Sequence, residues 1–379
     1  MVDAVFFLSV AAVFYTLGGY PLLTWLAGIF FAKRIRSRDE FVPSVSILVS
    51  AYNEEGTVRR KLENLLALDY PPEKAEILIG SDGSTDGTPR ILEKYAGNRI
   101  RVFSFPSRRG KPSVLNDLAG EARGELLVFA DCRQVWNTDA LKYLVRPFAD
   151  SRVGVVSGVV REEKDGIYRR YDDFVRQQAS RLGSVPGACG SIYAVRKETF
   201  VPFPPEMILD DLFLPMELLR KRFFSVVEPR AVARDISFPL SVERVRKVRT
   251  IAGNFQYFFR YPQMLLPWVN PAWFHTLSHK VFRLFLPVFL AALFVSNAAC
   301  VARHPAYAIL FLVQAAGYAA GAAGTVLMRR KQPSAAALPA QMLHAAAVFV
   351  EFNAMTVAAF FLYLRGKATV LWETSKEVV

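Results

Sequence analysis

Charged side chains collect at a few points of this chain, each where an apolar run stops. The run Ser46-Ile47-Leu48-Val49-Ser50-Ala51 breaks into Tyr52-Asn53-Glu54-Glu55, and Ile77-Leu78-Ile79 breaks into Gly80-Ser81-Asp82-Gly83-Ser84-Thr85-Asp86-Gly87. Glycines beside the carboxylates let a ligand approach closely. Ala51, Tyr52, Asn53, Glu54 and Asp82 are therefore candidates for holding a base edge and ribose hydroxyls. Lys111 follows Gly110 in the basic stretch Ser107-Arg108-Arg109-Gly110-Lys111-Pro112, where a cation could meet a diphosphate. Asp131 ends the run Leu126-Leu127-Val128-Phe129-Ala130 and precedes Cys132 and Arg133. Adjacent acids such as Asp210 and Asp211 raise one another's pKa, which suits one of them to take a proton from a hydroxyl near neutrality. Arg246 and Arg249 stand at i, i+3 and can face one anion from a helix. Each group also has a structural reading. The acid pair can cap a helix, the Gly110-Lys111 turn can be merely solvated, and the cations at 244–249 can flank a membrane.

These residues need a scaffold, and the apolar pattern supplies one. Strands are predicted over 45–49, 77–79, 100–105, 125–130, 153–160, 192–195 and 224–227, and helices over 57–68, 88–95, 209–222 and 242–259, with a further helix following the 107–112 loop and running through 118. The alternation predicts a mostly parallel sheet with helices on both faces. The candidates then fall at the carboxyl ends of strands, where such sheets place ligands. A small-residue loop, Pro186-Gly187-Ala188-Cys189-Gly190-Ser191, precedes one of these strands.

The 379 residues are 52% hydrophobic, with mean hydropathy +0.21 and net charge +13. Apolarity is segregated. Residues 4–32 are nearly uncharged and too long for a signal-peptide core, so a retained membrane helix is expected, kinked near Gly18, Gly19 and Pro21. Further apolar segments run over 282–301, 306–328 and 335–364. Lys33, Arg34 and Arg36, with Arg329, Arg330 and Lys331, place the polar block in the cytoplasm by the positive-inside rule. The C-terminal tail then lies outside, against the mild bias of Arg365 and Lys367. The aromatics between Phe255 and Phe274 predict interfacial helices over 253–280. The expected division is 1–34, membrane helix; 35–252, cytoplasmic domain; 253–280, amphipathic interface; 281–379, about three membrane helices and a tail. The positive charge fits anionic lipid and a diphosphate ligand. No base-reading motif points to nucleic acid. Cys132, Cys189 and Cys300 have no metal or redox spacing. His275 and His279, at i, i+4, read as part of a membrane-surface helix or as two metal ligands.

The Tyr52-Asn53-Glu54 and Asp82 loops, together with the Asp131 strand end, resemble family 2 glycosyltransferases, whose nucleotide-sugar half has a GT-A fold. The resemblance runs from about residue 42 to 260. It implies a GT-A domain with a mixed, mostly parallel sheet, carried on transmembrane and interfacial helices. It also implies a UDP-sugar donor and an inverting transfer that forms β-glycosidic bonds on a glycan or lipid acceptor at the membrane. Asp211 matches the family's catalytic base, with Asp210 as its neighbour. The family usually carries Asp-x-Asp for a divalent cation, Mg2+ or Mn2+, where this chain reads Asp131-Cys132-Arg133. Either Asp131, phosphates and waters hold the metal, or Arg133 replaces part of its charge. Processive cellulose, chitin and hyaluronan synthases carry Gln-x-x-Arg-Trp where this chain has Arg246-Lys247-Val248-Arg249-Thr250, keeping the arginine and losing the tryptophan. Ser278-His279-Lys280 and Leu371-Trp372-Glu373 resemble a bacterial exopolysaccharide-type subgroup. The expected function is synthesis of an extracellular or cell-surface polysaccharide at the bacterial inner membrane. The alternatives are single-sugar transfer to a membrane lipid and a non-catalytic nucleotide-sugar-binding subunit of a synthase complex. Sugar identity, linkage and oligomeric state are silent.

Overall fold

The computed structural model describes residues 1–97, 99–162, 166–235, 240–330 and 338–371; Lys331, Trp372 and Glu373 lie outside the described residues. The N-terminal apolar run forms α1 (Val2–Phe14) and α2 (Tyr20–Phe30). A π-helical turn at Tyr15–Gly19 joins them, at the small residues and proline that marked the expected kink.

Four strands then alternate with three helices: β1 (Val45–Ala51), α3 (Val58–Leu66), β2 (Ala75–Asp82), α4 (Thr88–Tyr95), β3 (Ile100–Phe105), α5 (Lys111–Glu121) and β4 (Leu126–Asp131). They pair in parallel in the order β3-β2-β1-β4. Both faces are covered, so the strands read as continuous apolar runs rather than alternating ones. Ile47, Val49, Val128 and Ala130 join one core with Val58, Leu62 and Leu65 of α3. Leu48, Leu127 and Phe129 join the opposite core with Val114, Leu115 and Leu118 of α5. Each such buried Leu or Val stabilises the domain by about 1.5–3 kcal/mol. The register places Ser50 opposite both Gly80 and Asp131, so three strand ends open at one edge.

The second half adds β5 (Val135–Trp136), α6 (Ala140–Val145), β6 (Val153–Arg161), α7 (Ile167–Arg181), β7 (Ile192–Arg196), α8 (Asp210–Arg220), β8 (Phe224–Arg234) and α9 (Leu240–Arg260). The eight strands form one mixed sheet, β3-β2-β1-β4-β7-β6-β8-β5, in which β7 is antiparallel to both neighbours. Sequence reasoning stops β8 at Val227, because Glu228, Pro229 and Arg230 interrupt its pattern. The strand continues past them by an irregularity opposite Ser157–Val159. It also misses α7, whose charged face hides a buried stripe of Val175, Gln178 and Ala179.

A short helix, α10 (Trp273–His275), runs through a π-turn at Thr276–Val281 into α11 (Phe282–Cys300), followed by α12 (Pro305–Arg330) and α13 (Leu338–Leu364). Among the described residues, four stretches are long and apolar enough to cross a membrane: Val2–Phe30, Trp273–Cys300, Pro305–Leu327 and Gln341–Leu364. The expected interfacial stretch is divided differently. Residues 253–260 complete α9, and 273–280 are continuous with a membrane helix. The reason lies in their partners. Ile251, Ala252 and Phe255 pack on Met355 and Ala359 of α13, while His275 and His279 bond Tyr20 and Asp172. Gly321 and Gly324 of α12 approach α13 so closely that an added Cβ would lie 2.4 Å from Val350 and 2.9 Å from Ala347.

Candidate active site

The aligned strand ends, α8 and α9 enclose a cleft of about 370 Å3. Of the sequence candidates, Tyr52, Glu54, Asp82, Lys111, Asp131, Arg133, Asp210, Asp211, Arg246 and Arg249 line it. Ala51 and Asn53 do not. Ala51 is buried in the core beneath. Asn53 adopts a left-handed backbone (φ 52°) and accepts a hydrogen bond from the Thr85 amide at 2.8 Å, which ties the two nucleotide-side loops together. Asp82 is 2% exposed, and its two oxygens accept from the backbone N–H groups of Arg109 (2.7 Å) and Gly110 (2.8 Å). It therefore shapes the basic loop. That loop lays the Arg108 guanidinium 3.8 Å from the centre of the Tyr52 ring. Gly83 holds the other side of the contact at φ 65°, and a Cβ there would lie 2.5 Å from the Arg108 amide nitrogen.

Lys111 begins α5 after Gly110 turns the chain at φ 92°. Its ammonium reaches Asp131 Oδ1 at 2.9 Å and Asp210 Oδ1 at 3.2 Å, bridging the end of β4 and the start of α8. Burial would raise the Asp131 carboxyl, but Lys111, the Ser191 hydroxyl at 3.1 Å and Arg133 outweigh it and hold the group below its ordinary value. Arg133 also lines the cleft. It forms a two-pronged pair with Asp235 at the end of β8, at 2.9 and 2.6 Å.

Asp210 accepts from Tyr193 Oη at 3.1 Å and is almost fully buried. Asp211 is half-buried, and burial followed by the Asp210 charge raises its pKa to about 6, against the pull of Lys111 and Lys280. The small-residue loop is fastened to this acid twice. Gly190 N–H donates to Asp211 Oδ2 at 3.1 Å, and Ala188 N–H donates to the Asp211 carbonyl at 2.6 Å. Pro215 inside α8 makes the second bond possible. Having no N–H, it leaves the carbonyl four residues earlier without a helical partner.

Among the described residues no group of three or more His, Cys, Asp and Glu side chains could hold a metal ion. A hard cation bound mainly to phosphates and water needs only one or two carboxylates. Asp131, whose oxygens already accept from Lys111 and Ser191, has the right donor chemistry for such a phosphate-bridged ion. His275 and His279 are committed to Tyr20 and Asp172. Sequence reasoning missed Arg108, Gly190, Ser191, Pro215 and Asp235 as parts of the site. Only the small-residue loop signalled two of them.

Residues 46–201 match the model of Glycosyl transferase family 2. The chain carries a family 2 glycosyl transferase domain. The chain is similar to the β-monoglucosyldiacylglycerol synthase of Nostoc sp., 30% identical over 210 residues, covering 50% of this chain and 45% of that protein. The poly-β-1,6-N-acetyl-D-glucosamine synthase of Staphylococcus epidermidis is 26% identical over 241 residues, covering 56% of this chain and 58% of that one. The chain thus spans about half the length of these relatives. A solved mannosyltransferase from Pyrobaculum calidifontis, in complex with GDP-Man and Mn2+, superposes with a TM-score of 0.74 at 24% identity, over 97% of this chain and all of that one. The glycosyl transferase domain therefore has the GT-A fold, and the likeness extends through the membrane helices.

Proposed function

We propose that this protein is an inverting membrane glycosyltransferase that moves a sugar from a UDP-sugar to an acceptor hydroxyl at the cytoplasmic membrane surface, for an extracellular or cell-surface polysaccharide. The observation that carries the reading is the gathering of Asp210 and Asp211 with Lys111, Arg246 and Arg249 in one cleft, where burial and the Asp210 charge raise the Asp211 carboxyl. Asp211 takes the acceptor hydroxyl proton as that oxygen bonds to the anomeric carbon. The bond from this carbon to the donor phosphate breaks, and its electron pair leaves on the diphosphate. Attack from the face opposite the leaving group inverts the configuration. Lys111, Arg246 and Arg249 neutralise the charge that develops on the diphosphate. Arg108 and Tyr52 offer a stacked wall to the base, and Asp82 holds that wall in place. Asp131 would hold a divalent cation, Mg2+ or Mn2+, and a bound cation would supply further neutralisation of the diphosphate.

A second reading, single transfer to a membrane lipid, has its own support. The loop that grips Asp211 passes near Lys280, just before α11; the Lys280 ammonium would lie 3.6 Å from a Cβ added at Gly187, so the acceptor side borders the apolar helices. Membranes containing the protein, incubated with radiolabelled UDP-sugars and Mg2+ or Mn2+, test both. A high-molecular-weight product degraded by glycosidases supports the polysaccharide reading. Label extracted into organic solvent as one sugar per lipid supports the second. No UDP release from any donor removes both.

A further inference from the structure

Beyond Asp211, away from the donor cations, lies a second set of basic side chains that the proposed transfer does not use. The ammonium of Lys280 would lie 3.6 Å from a Cβ at Gly187, where φ is 103° and the adjoining residues hold Asp211. Among the described residues no hydrogen bond or ion pair reaches it. Arg176 of α7 donates to the neutral Ser157 hydroxyl at 3.0 Å, and Ser157 in turn accepts from the Cys189 amide of the same loop at 2.9 Å. Arg283 pairs with Asp172 at 2.6 Å but keeps its buried Nη2 without a partner, as His279 keeps Nδ1. Asp172 is already shared between Arg283 and His279. The cations thus outnumber the carboxylates that face them, and Lys280 is close enough to lower the Asp211 pKa.

Withdrawing unpaired cations from water is costly unless an anion meets them. Lys and Arg together suit a phosphate. The level of the cluster also matters. Tyr171 of α7 donates to the Leu17 carbonyl of the first span at 3.0 Å, and Tyr15 of that span lies 2.6 Å from the Ser278 hydroxyl. Arg176, Lys280 and Arg283 therefore stand where the first two apolar spans meet the domain, within reach of a lipid drawn to that junction.

We propose that the acceptor is an anionic membrane lipid whose phosphate is received by Lys280, Arg176 and Arg283 while its hydroxyl lies at Asp211. The inference rests on the second reading above, single transfer to a membrane lipid, and names the acceptor class. The test uses the full-length protein in phosphatidylcholine vesicles containing phosphatidylglycerol and diacylglycerol of matched chains in equal amounts. Both lipids offer a hydroxyl, and only one carries phosphate. Sharing a single vesicle cancels any effect of surface charge on binding. The expected result is label on phosphatidylglycerol over diacylglycerol by about tenfold. The ratio should fall toward one in Lys280→Gln and Arg176→Gln. Because it is a ratio, a partly unfolded variant cannot mimic the fall. Equal labelling by the wild type, or a preference that survives both substitutions, overturns the proposal. So does label found on soluble glycerol phosphate or in a high-molecular-weight acidic polymer. UDP release is measured in parallel. Its presence with equal labelling defeats only this inference, and its absence removes the glycosyltransferase reading as well.

Discussion

Asp211 is held by a loop rather than by another side chain, which makes it a clean target. In Asp211→Asn the amide oxygen still accepts from Gly190, so the fold and donor affinity should persist while kcat falls by about 10^2–10^4. Turnover and nucleotide binding measured on the same preparation check this. The raised carboxyl sets a pH dependence. A base must be ionised, so kcat/KM should rise about tenfold per unit up to pH about 6 and level off above it. A flat profile between pH 5 and 7 would remove the assignment. Asp131, Lys111 and Asp211 were legible because each follows an apolar run or a glycine that announces a strand end or a turn. The direction of Arg133 was not. Its partner Asp235 lies 102 residues away, beyond a strand whose second half the sequence disguises.

At the scale of elements, α8 trades helix stability for geometry. Restoring the N–H with Pro215→Ala lets the Asp211 carbonyl bond within its own helix and compete with Ala188. We expect a stabilised helix, by up to about 3 kcal/mol of intrinsic preference, together with several-fold slower turnover. Thermal melting and kcat should move in opposite senses. Gly83→Ala tests the other wall. It forces a side chain into a left-handed position and against the Arg108 backbone, at a cost of about 1–3 kcal/mol. Donor KM should rise more than kcat falls, since the basic loop, not the base, is displaced. The parallel half of the sheet could be read from the sequence because buried strands show as unbroken apolar runs. The helix α7 could not, because its buried stripe is narrow and its arginines and aspartates find partners only in the assembled fold.

At the scale of the whole molecule, hydropathy and flanking charge anticipated four membrane segments, but not that 273–280 would extend one of them. The expected orientation is testable. In a chain with Cys132, Cys189 and Cys300 replaced by serine, Arg123→Cys, exposed in the turn after α5, should react with an impermeant maleimide only after the membrane is opened. Labelling of intact cells would invert the topology. The way α7 is mounted has a further consequence. Gly28 of the first span packs against Arg181 and Gln178, the Lys33 amide donates to the Arg181 carbonyl at 2.7 Å, and Asp172 anchors Arg283 at the start of the next span. The same helix supports the Asp211 loop through Arg176 and Ser157. On the proposed reading, this mounting sets Asp211 at one height relative to the two spans, like a depth gauge. Headgroup length, and not only headgroup chemistry, would then select the acceptor. A lipid extended by one sugar would carry its terminal hydroxyl past Asp211, and a growing polymer would have to retreat by one unit before each addition.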